Sequence, residues 1–381
     1  MVPPGAIFAL FLEDVRNLVT DCLRPAETQV EEQDEVPQHL VDKMRNLGLF
    51  GLSIPTEYGG LNFNMEQEAH ILFEMGKTSP SFRATFGTNV GIGSQGLILA
   101  GTDEQRSYWL PRIARGEILT SFALTEAEAG SDPGNVKTRA VREADVYRLN
   151  GTKIYITNAD KAGLFTVMAR TSDAPGTRGI SAFLVPRDLP GVRVGAPAKK
   201  MGQRGTAIAN VHFEDARVPA ANLLGKEGEG FKIAMRILDR SRLHIAALCV
   251  GIAERLIVDS VTHAASRHQF GKPLAEHQMV QAMIADSKTE TLAARALVLE
   301  TARQRDADVD VTLESSAAKL FASEMVGRVA DRAVQIHGGA GYIAGPGIER
   351  FYRDVRPLRI YEGTSQIQQI VIARETVKRG K

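Results

Sequence analysis

From residue 1 to about 117, apolar positions recur at spacings of three and four, the period of a helix with one buried face. FLEDVRNLVTDCL sets Phe11, Val15, Leu18 and Cys22 on a single stripe. EVPQHLVDKMRNLGLFGL repeats the pattern before the Pro/Gly-punctuated IPTEYGG, and MEQEAHILFEMGK predicts a third helix. In TDEQRSYWLPRIARGE, Thr102 is placed to cap a helix, with Gln105 at the capping-box position. From about 118 to 225 the period shortens to two. YRLNGTKIYITN reads as a hairpin turning at Asn150-Gly151, a pair suited to a type I′ turn. LFTVMAR, ISAFLVPR, VRVGA and TAIANVHFEDARV predict further short strands, the pattern of a small antiparallel sandwich or barrel. From 226 to 381 the helical period returns in long runs such as AEHQMVQAMIADSKTETLAARALVLETARQRDAD. The expected architecture is α+β: an N-terminal helical domain (1–117), a middle β domain (118–225) and a C-terminal four-helix bundle (226–381).

One stretch competes with that reading. Residues 91–96 spell GIGSQG, a literal G-x-G-x-x-G. The dinucleotide fingerprint requires an apolar strand before the first glycine and a β-α-β alternation around it. SPSFRATFGTNV precedes it instead, and no such alternation occurs along the chain. The stretch is expected to be a helix of small residues, its glycines explained by close packing or a pocket wall.

Bulk composition narrows the class. The 381 residues are 44% hydrophobic and 24% charged with a net charge of +1, an ordinary globular balance without a nucleic-acid-binding surface. AIFALFL near the N-terminus lacks the flanks of a secretory signal, and no run is long enough to span a membrane. Cys22 and Cys249, the only cysteines, form no disulfide framework, which points to a reducing cytoplasm. His263, His268 and His277 do not have the spacing of a metal site.

Four stretches carry candidate chemistry. FALTEAEAGSDPG (122–134) is a strand running into a loop of small and hydroxyl residues, whose backbone N–H groups can hold phosphate or ring oxygens. KIYITN (153–158) puts Tyr155 and Thr157 on one face, an aromatic and a hydroxyl suited to a planar ligand. In SRHQFGKPLAEHQ (266–278), Arg267 stands at a helix boundary, a natural phosphate partner. In IYEGTSQIQQIVIARE (360–375), Glu362 lies in apolar surroundings, where partial desolvation makes a carboxylate a stronger base. Gly363 lets the chain pass close to a ligand, and Thr364 can cap the last helix.

Read together, LTEAEAGSD, YITN, RHQFGKPL, QIHGGAGY and YEGTSQIQ resemble the acyl-CoA dehydrogenase family over essentially the whole chain, in the family's order. MGQRGTAIANVHFEDARVPAANLLGKEGEGF is similar to its exit from the β domain. The resemblance implies FAD, an acyl-CoA substrate and a trans-2-enoyl-CoA product, with the α-hydrogen leaving as a proton and the β-hydrogen as a hydride to flavin N5. It makes Glu362 the α-proton base, with its backbone N–H and a flavin ribityl hydroxyl on the thioester carbonyl. Phe122, Leu124, Thr125, Gly130 and Ser131 match the flavin loop, Ser131 also lying toward substrate. Tyr155, Ile156 and Thr157 match the strand beside the flavin ring. Arg267, Gln269, Phe270, Gln278, Gln335, Gly338 and Gly339 match groups that hold the adenosine-pyrophosphate half, several of them from a neighbouring subunit. That implies a homotetramer, or at least a dimer. Thr364 and Gln366 match cofactor contacts, and Asp239, Arg242 and Gly363 match substrate-side residues. An electron-transferring flavoprotein is the implied electron acceptor.

Three departures from the family pattern stand out. Ala127 replaces a usual proline and Tyr155 a commoner tryptophan, while the alternative base position on the helix near 239–242 holds Ser241. SFRATFG resembles the glutaryl-CoA dehydrogenase branch, in which an arginine at the place of Arg83 binds a distal carboxylate. A salt-bridged or solvated Arg83 is the competing expectation. An acyl-CoA oxidase on the same scaffold, or a flavin- or CoA-binding subunit without activity, are the alternative functions.

Overall fold

The computed structural model describes residues 4–345 and 347–380. Its N-terminal part is helical: α1 (Pro4–Leu18), α2 (Glu27–Gln33), α3 (Gln38–Asn46), α4 (Met65–Met75), α5 (Pro80–Val90), α6 (Gln95–Ala100) and α7 (Asp103–Ala114). The stripe read from the sequence forms one wall of a core: Val15 and Leu18 are buried with Leu40, Met44, Phe50, Phe82 and Phe86, and Phe11 and Cys22 pack at its edge. At the start of α7 the Thr102 side chain accepts from Gln105 N, and the Gln105 side chain accepts from Thr102 N. Thr102→Ala is expected to cost about 1 kcal/mol. The urea midpoint should fall at unchanged slope, and an unmoved midpoint contradicts the cap.

GIGSQG does not form the helix expected of it. α5 ends at Val90, residues 91–94 turn, and α6 begins at Gln95. The reason is proximity. A Cβ on Gly93 would lie 2.0 Å from Thr120 Oγ1, so this turn rests directly on the first strand of the middle region.

That region has eight paired strands: β1 (Thr120–Ala123), β2 (Arg139–Glu143), β3 (Val146–Thr157), β4 (Leu164–Arg170), β5 (Ile180–Pro186), β6 (Val192–Val194), β7 (Ile208–Pro219) and β8 (Leu223–Leu224). Their order is β6-β7-β3-β2-β4-β5-β8, with β1 beside β4. Pairing is antiparallel except that β1 and the start of β2 run parallel to β4. The β2–β3 hairpin separates β1 from β4 in sequence, a connection long enough for parallel pairing.

Asn150-Gly151 is not a turn. Both residues lie inside the continuous strand β3, and the hairpin turns at Ala144-Asp145, with Glu143 paired to Val146 and Ala144 at φ +54°. Gly151 has φ +152°, and a Cβ there would meet Thr138 Oγ1 at 2.4 Å. A shift of register between Leu149 and Gly151 marks a β-bulge, so this glycine serves a bulge and a close contact.

The C-terminal part contains α8 (Gly230–Ser266), the small hairpin β9 (His268–Gln269) and β10 (Lys272–Pro273), α9 (Gln278–Asp306), α10 (Thr312–His337), α11 (Gly339–Tyr342), α12 (Ile348–Asp354) and α13 (Ser365–Arg379). Helices α8, α9 and α10 pack on one another, α13 lies on α10, and α4 lies on α8. Leu243, Leu248, Val298, Met325 and Val329 fill the shared core. Burial there pushes the Cys249 thiol up to about 12, which makes it an inert core residue. Residues 201–205 fasten the three parts together: Ser81 Oγ donates to Arg204 O at 2.5 Å, Gly205 N to Asp34 Oδ1 at 2.7 Å, and Gln203 Nε2 to Asp354 O at 3.0 Å. No helix among the described residues is long and apolar enough to cross a membrane.

Candidate active site

Glu362 sits in the turn between α12 and α13, with its backbone at φ +56°. A non-glycine residue in the left-handed region is uncommon and stores strain, which structures retain chiefly where position matters. Its carboxylate Oε2 is buried without a hydrogen-bond partner among the described residues. Its backbone N–H has no backbone acceptor among the described residues. An acceptor oxygen and a free donor thus meet on one residue, which is what removal of a proton beside a polarised carbonyl requires.

Two groups absent from the sequence reading hold this turn. Lys319, fully buried on α10, donates to Gly363 O at 2.7 Å. Gln368 Nε2 donates to the same carbonyl at 3.0 Å and to Glu362 O at 3.2 Å. Gly363 has φ +95°, and a Cβ there would overlap Gln368 Nε2 at 2.5 Å. Thr364 caps α13 by accepting from Ile367 N at 3.3 Å. Burial lowers the Lys319 ammonium to about 8, against the pull of Cys249 and Glu362. Lys319→Met leaves the buried Gly363 carbonyl short of a donor, a loss of about 1–3 kcal/mol. Turnover is expected to fall roughly 5- to 100-fold at unchanged flavin content, and wild-type turnover in this variant removes Lys319 from the account.

Asp239 and Arg242 lie nearby on α8. They pair with each other at 2.6 Å, and Asp239 also accepts from Thr312 Oγ1 at 3.2 Å. Arg242 is buried within electrostatic reach of Glu362. Ser241 is buried and faces Gly91.

The loop after β1 is tied to β3. Ile154 N donates to Thr125 O at 2.8 Å, and Lys153 Nζ donates to Leu124 O at 3.0 Å and to Glu126 Oε1 at 2.6 Å. Glu126 also accepts from Lys137 N and Thr138 N, closing the loop on itself. Desolvation raises the Glu126 carboxyl, but Lys153 and these donors outweigh it and leave it below its ordinary value. The sequence reading passed over Lys153 and Glu126, because neither is chemically distinctive until the fold buries them as a pair. Phe122 and Leu124 are buried, whereas Gly130 and Ser131 lie at the exposed end of the loop, with open space where a Gly130 Cβ would be.

Tyr155 and Thr157 do not share a face by simple alternation. The register shifts between Lys153 and Ile156, and Tyr155 takes φ +58°, so a bulge turns its ring outward to 65% exposure. Ile156 is buried and Thr157 half-buried, with Ser121 Oγ donating to Thr157 O at 2.6 Å. Asn158 Nδ2 donates to Ala84 O at 2.9 Å and so ties the strand to α5. An outward aromatic, a half-open threonine and an open loop backbone could hold a planar, polar-edged ligand.

The remaining cofactor candidates form a second group. Arg267 ends α8, Gln269 and Phe270 lie in the β9–β10 hairpin, and Gln278 starts α9. Gln335 lies near the end of α10, followed by Gly338 and Gly339. The α8 and α10 ends meet where His263 and His337 stack at 4.3 Å. All seven residues are exposed, Phe270 at 95%, and nothing lies within 4 Å of a Cβ at Gly338 or Gly339. Gln366, on the first turn of α13, is also exposed. No hydrogen bond or ion pair among the described residues joins the seven to the β1–β3 loop group.

Arg83 is 8% exposed on α5, forms no ion pair among the described residues, and leaves Nε without a partner. Its guanidinium folds onto Gly87, where a Cβ would meet Cζ at 2.9 Å. It is not salt-bridged among the described residues, and its Nε is closed off from solvent. Its charge reaches Tyr361, the neighbour of Glu362.

A depression of about 540 Å³ lies elsewhere, between residues 132–139 and 170–177. Its Arg170 is committed to the carbonyls of Gly134, Ala174 and Gly176, and its Arg139 to Asp173. It starts one residue beyond Ser131 and includes none of the groups around Glu362.

Residues 9–117, 121–216 and 228–377 match, in turn, the families described as acyl-CoA dehydrogenase N-terminal, middle and C-terminal domains. The chain is 44% identical to acryloyl-CoA reductase (NADH) of Anaerotignum propionicum, over 94% of this chain and 91% of that protein. It is 40% identical to the caffeyl-CoA reductase-Etf complex subunit CarC of Acetobacterium woodii, over 96% and 95%. Butyryl-CoA dehydrogenase from Megasphaera elsdenii superimposes with a TM-score of 0.94 at 34% identity, covering 97% of this chain and 98% of that one.

Proposed function

The chain belongs to the acyl-CoA dehydrogenase family of FAD-dependent oxidoreductases, and on that premise we propose that it oxidises an acyl-CoA to the trans-2-enoyl-CoA with Glu362 as the α-proton base. The observation that carries this is the buried, unpartnered Glu362 Oε2 beside its own unengaged N–H, in a strained turn braced by Lys319 and Gln368. In this reading the Glu362 N–H donates to the thioester carbonyl, which acidifies the α-carbon, and the carboxylate takes the proton. Asp239, Arg242 and Gly363 line the approach, and Ser131 borders it from the loop.

FAD fits the residues present. Phe122, Leu124, Thr125, Gly130, Ser131, Tyr155, Ile156 and Thr157 would hold the ring side, with Thr364 and Gln366 at the last helix. Arg267, Gln269, Phe270, Gln278, Gln335, Gly338 and Gly339 would hold the phosphate and adenosine side. A bound flavin supplies the acceptor for the two electrons that leave with the β-hydrogen. The second group is exposed on the monomer and unlinked to the first, so its partner is proposed to be the flavin of a second copy in a homotetramer. A subunit of a complex named for Etf, among the relatives, supports an electron-transferring flavoprotein as redox partner. Both reported relatives are named reductases, which favours a second reading: the same couple run toward the saturated acyl-CoA.

The buried, uncompensated Arg83 supports a dicarboxylyl-CoA such as glutaryl-CoA as substrate. The test is to purify the flavoprotein, add acyl-CoAs anaerobically and identify the product by mass. Enoyl-CoA formed with an electron-transferring flavoprotein, and no peroxide in air, is the expected result. Peroxide without any other acceptor identifies an oxidase, and conversion only of enoyl-CoA identifies a reductase.

A further inference from the structure

Behind Arg83 lies a buried ionic cluster that proton abstraction at Glu362 does not use. Glu68 of α4 is fully buried, pairs with Arg240 of α8, and has Oε2 2.7 Å from His244 Nε2. His244 is fully buried on α8; neither ring nitrogen makes a hydrogen bond among the described residues, and Nε2 alone lies at ion-pair distance from an acid. Nδ1 looks onto the bare backbone of Gly91: a Cβ there would lie 3.8 Å from it. Gly91 N in turn donates to the carbonyl of Gly87, the residue against which the Arg83 guanidinium rests. Arg83 thus lies against the last turn of its own helix at Gly87, and His244 against the residue that ends that helix, Gly91.

The charges do not balance. Arg83, from α5, and Arg240 are two buried or nearly buried cations facing His244, with Glu68 the acid that answers them. Arg305 of α9 also reaches Glu68, but Asp239 and Asp306 answer its charge. A buried excess of positive charge is costly unless an anion joins it. We propose, resting on the reading of Arg83 above, that His244 is a second specificity-determining residue, donating from Nδ1 to the terminal carboxylate of a short dicarboxylyl-CoA while Glu68 positions its ring from behind.

In the free protein, burial depresses the His244 imidazole, with Glu68 pulling the other way and Arg240 and Arg83 adding to the depression. With its proton on Nε2, toward Glu68, the neutral ring leaves Nδ1 as an acceptor. Nδ1 becomes a donor only when the ring takes up a proton, which an incoming carboxylate favours. Binding of the dicarboxylyl-CoA is thus coupled to uptake of one proton, and binding of a monocarboxylyl-CoA is not. Below the folded imidazole's transition the anion is held fully, and as pH rises through that transition the added hold is lost.

The test is the ratio of kcat/KM for glutaryl-CoA over butyryl-CoA, measured on the flavin-loaded wild type from about pH 5.5 to 9. Groups common to both reactions cancel in the ratio. The ratio is expected to fall with rising pH, approaching tenfold per unit for one proton, and a ratio independent of pH overturns the proposal. In His244→Gln the pH dependence should vanish, and the ratio at low pH should drop about 10- to 100-fold. In Glu68→Gln the break should move to lower pH, a shift that a merely structural role for Glu68 does not produce. Failure of the underlying reading looks different: if Arg83→Ala leaves the ratio unchanged at every pH, the dicarboxylyl assignment itself is wrong.

Discussion

Glu362→Gln is expected to lower kcat for acyl-CoA oxidation by roughly 10²- to 10⁴-fold, the range for loss of a positioned general base. The substitution keeps the size and shape of the side chain and removes only its ability to take a proton. The backbone N–H, free of a backbone acceptor, remains available to a thioester carbonyl. KM is therefore expected to change little, so that kcat and kcat/KM fall together. Flavin content and thermal midpoint should match the wild type, because Oε2 has no hydrogen-bond partner to lose. Turnover within threefold of wild type places the base elsewhere.

Arg83→Ala carries the second large effect, on selectivity. Arg83, a residue 8% exposed with no acid paired to it among the described residues, has an unmet partner. Truncating one member of a buried charge pair costs about 2–5 kcal/mol. The preference for glutaryl-CoA over butyryl-CoA is then expected to fall roughly 30- to 3,000-fold. The substitution also removes a buried cation and clears the contact at Gly87, where a Cβ would sit 2.9 Å from Arg83 Cζ. The thermal midpoint of the unliganded protein is therefore not expected to fall, although the residue is buried. A large loss of stability with unchanged selectivity would reassign Arg83 to the core.

These two residues differ in how they could be found. Glu362 is visible in the sequence because YEGTS places an acid against a glycine and a helix cap, a local arrangement that survives translation into structure. The cap at Thr102 and the helical stripe through Val15 and Leu18 were legible for the same reason: their partners lie within one or two turns. Arg83 could be noticed in SFRATFG, but its lack of an acidic partner depends on what α4, α8 and the 360–363 turn bring near it. Lys319, Lys153, Glu126 and the Glu68–His244 pair went unseen for that reason. Each meets its partner across at least 27 residues of chain.

The misread turns fail in an instructive way. Asn150-Gly151 carries the local signal of a hairpin, yet β3 continues through it because strand β7 pairs along almost its whole length. The glycine is needed where Thr138 approaches. Ala144-Asp145 turns the chain with no glycine, and Ala144 accepts a positive φ. GIGSQG likewise owes its glycines to Thr120, Gly87 and Leu224 lying close by, which no window of sequence around it reveals. In each case tertiary pairing overrode a local preference worth about 1 kcal/mol.

Anaerobic rapid mixing tests, without any electron partner, whether Glu362 removes the α-proton beside a bound flavin. Flavin-loaded wild type and Glu362→Gln would each be mixed with excess acyl-CoA while the flavin band near 450 nm is followed. Rapid bleaching is expected in the wild type, and in the variant a stable band that shifts on binding but does not bleach on the same timescale. Equal bleaching rates in the two proteins would contradict the assignment of Glu362 as the base.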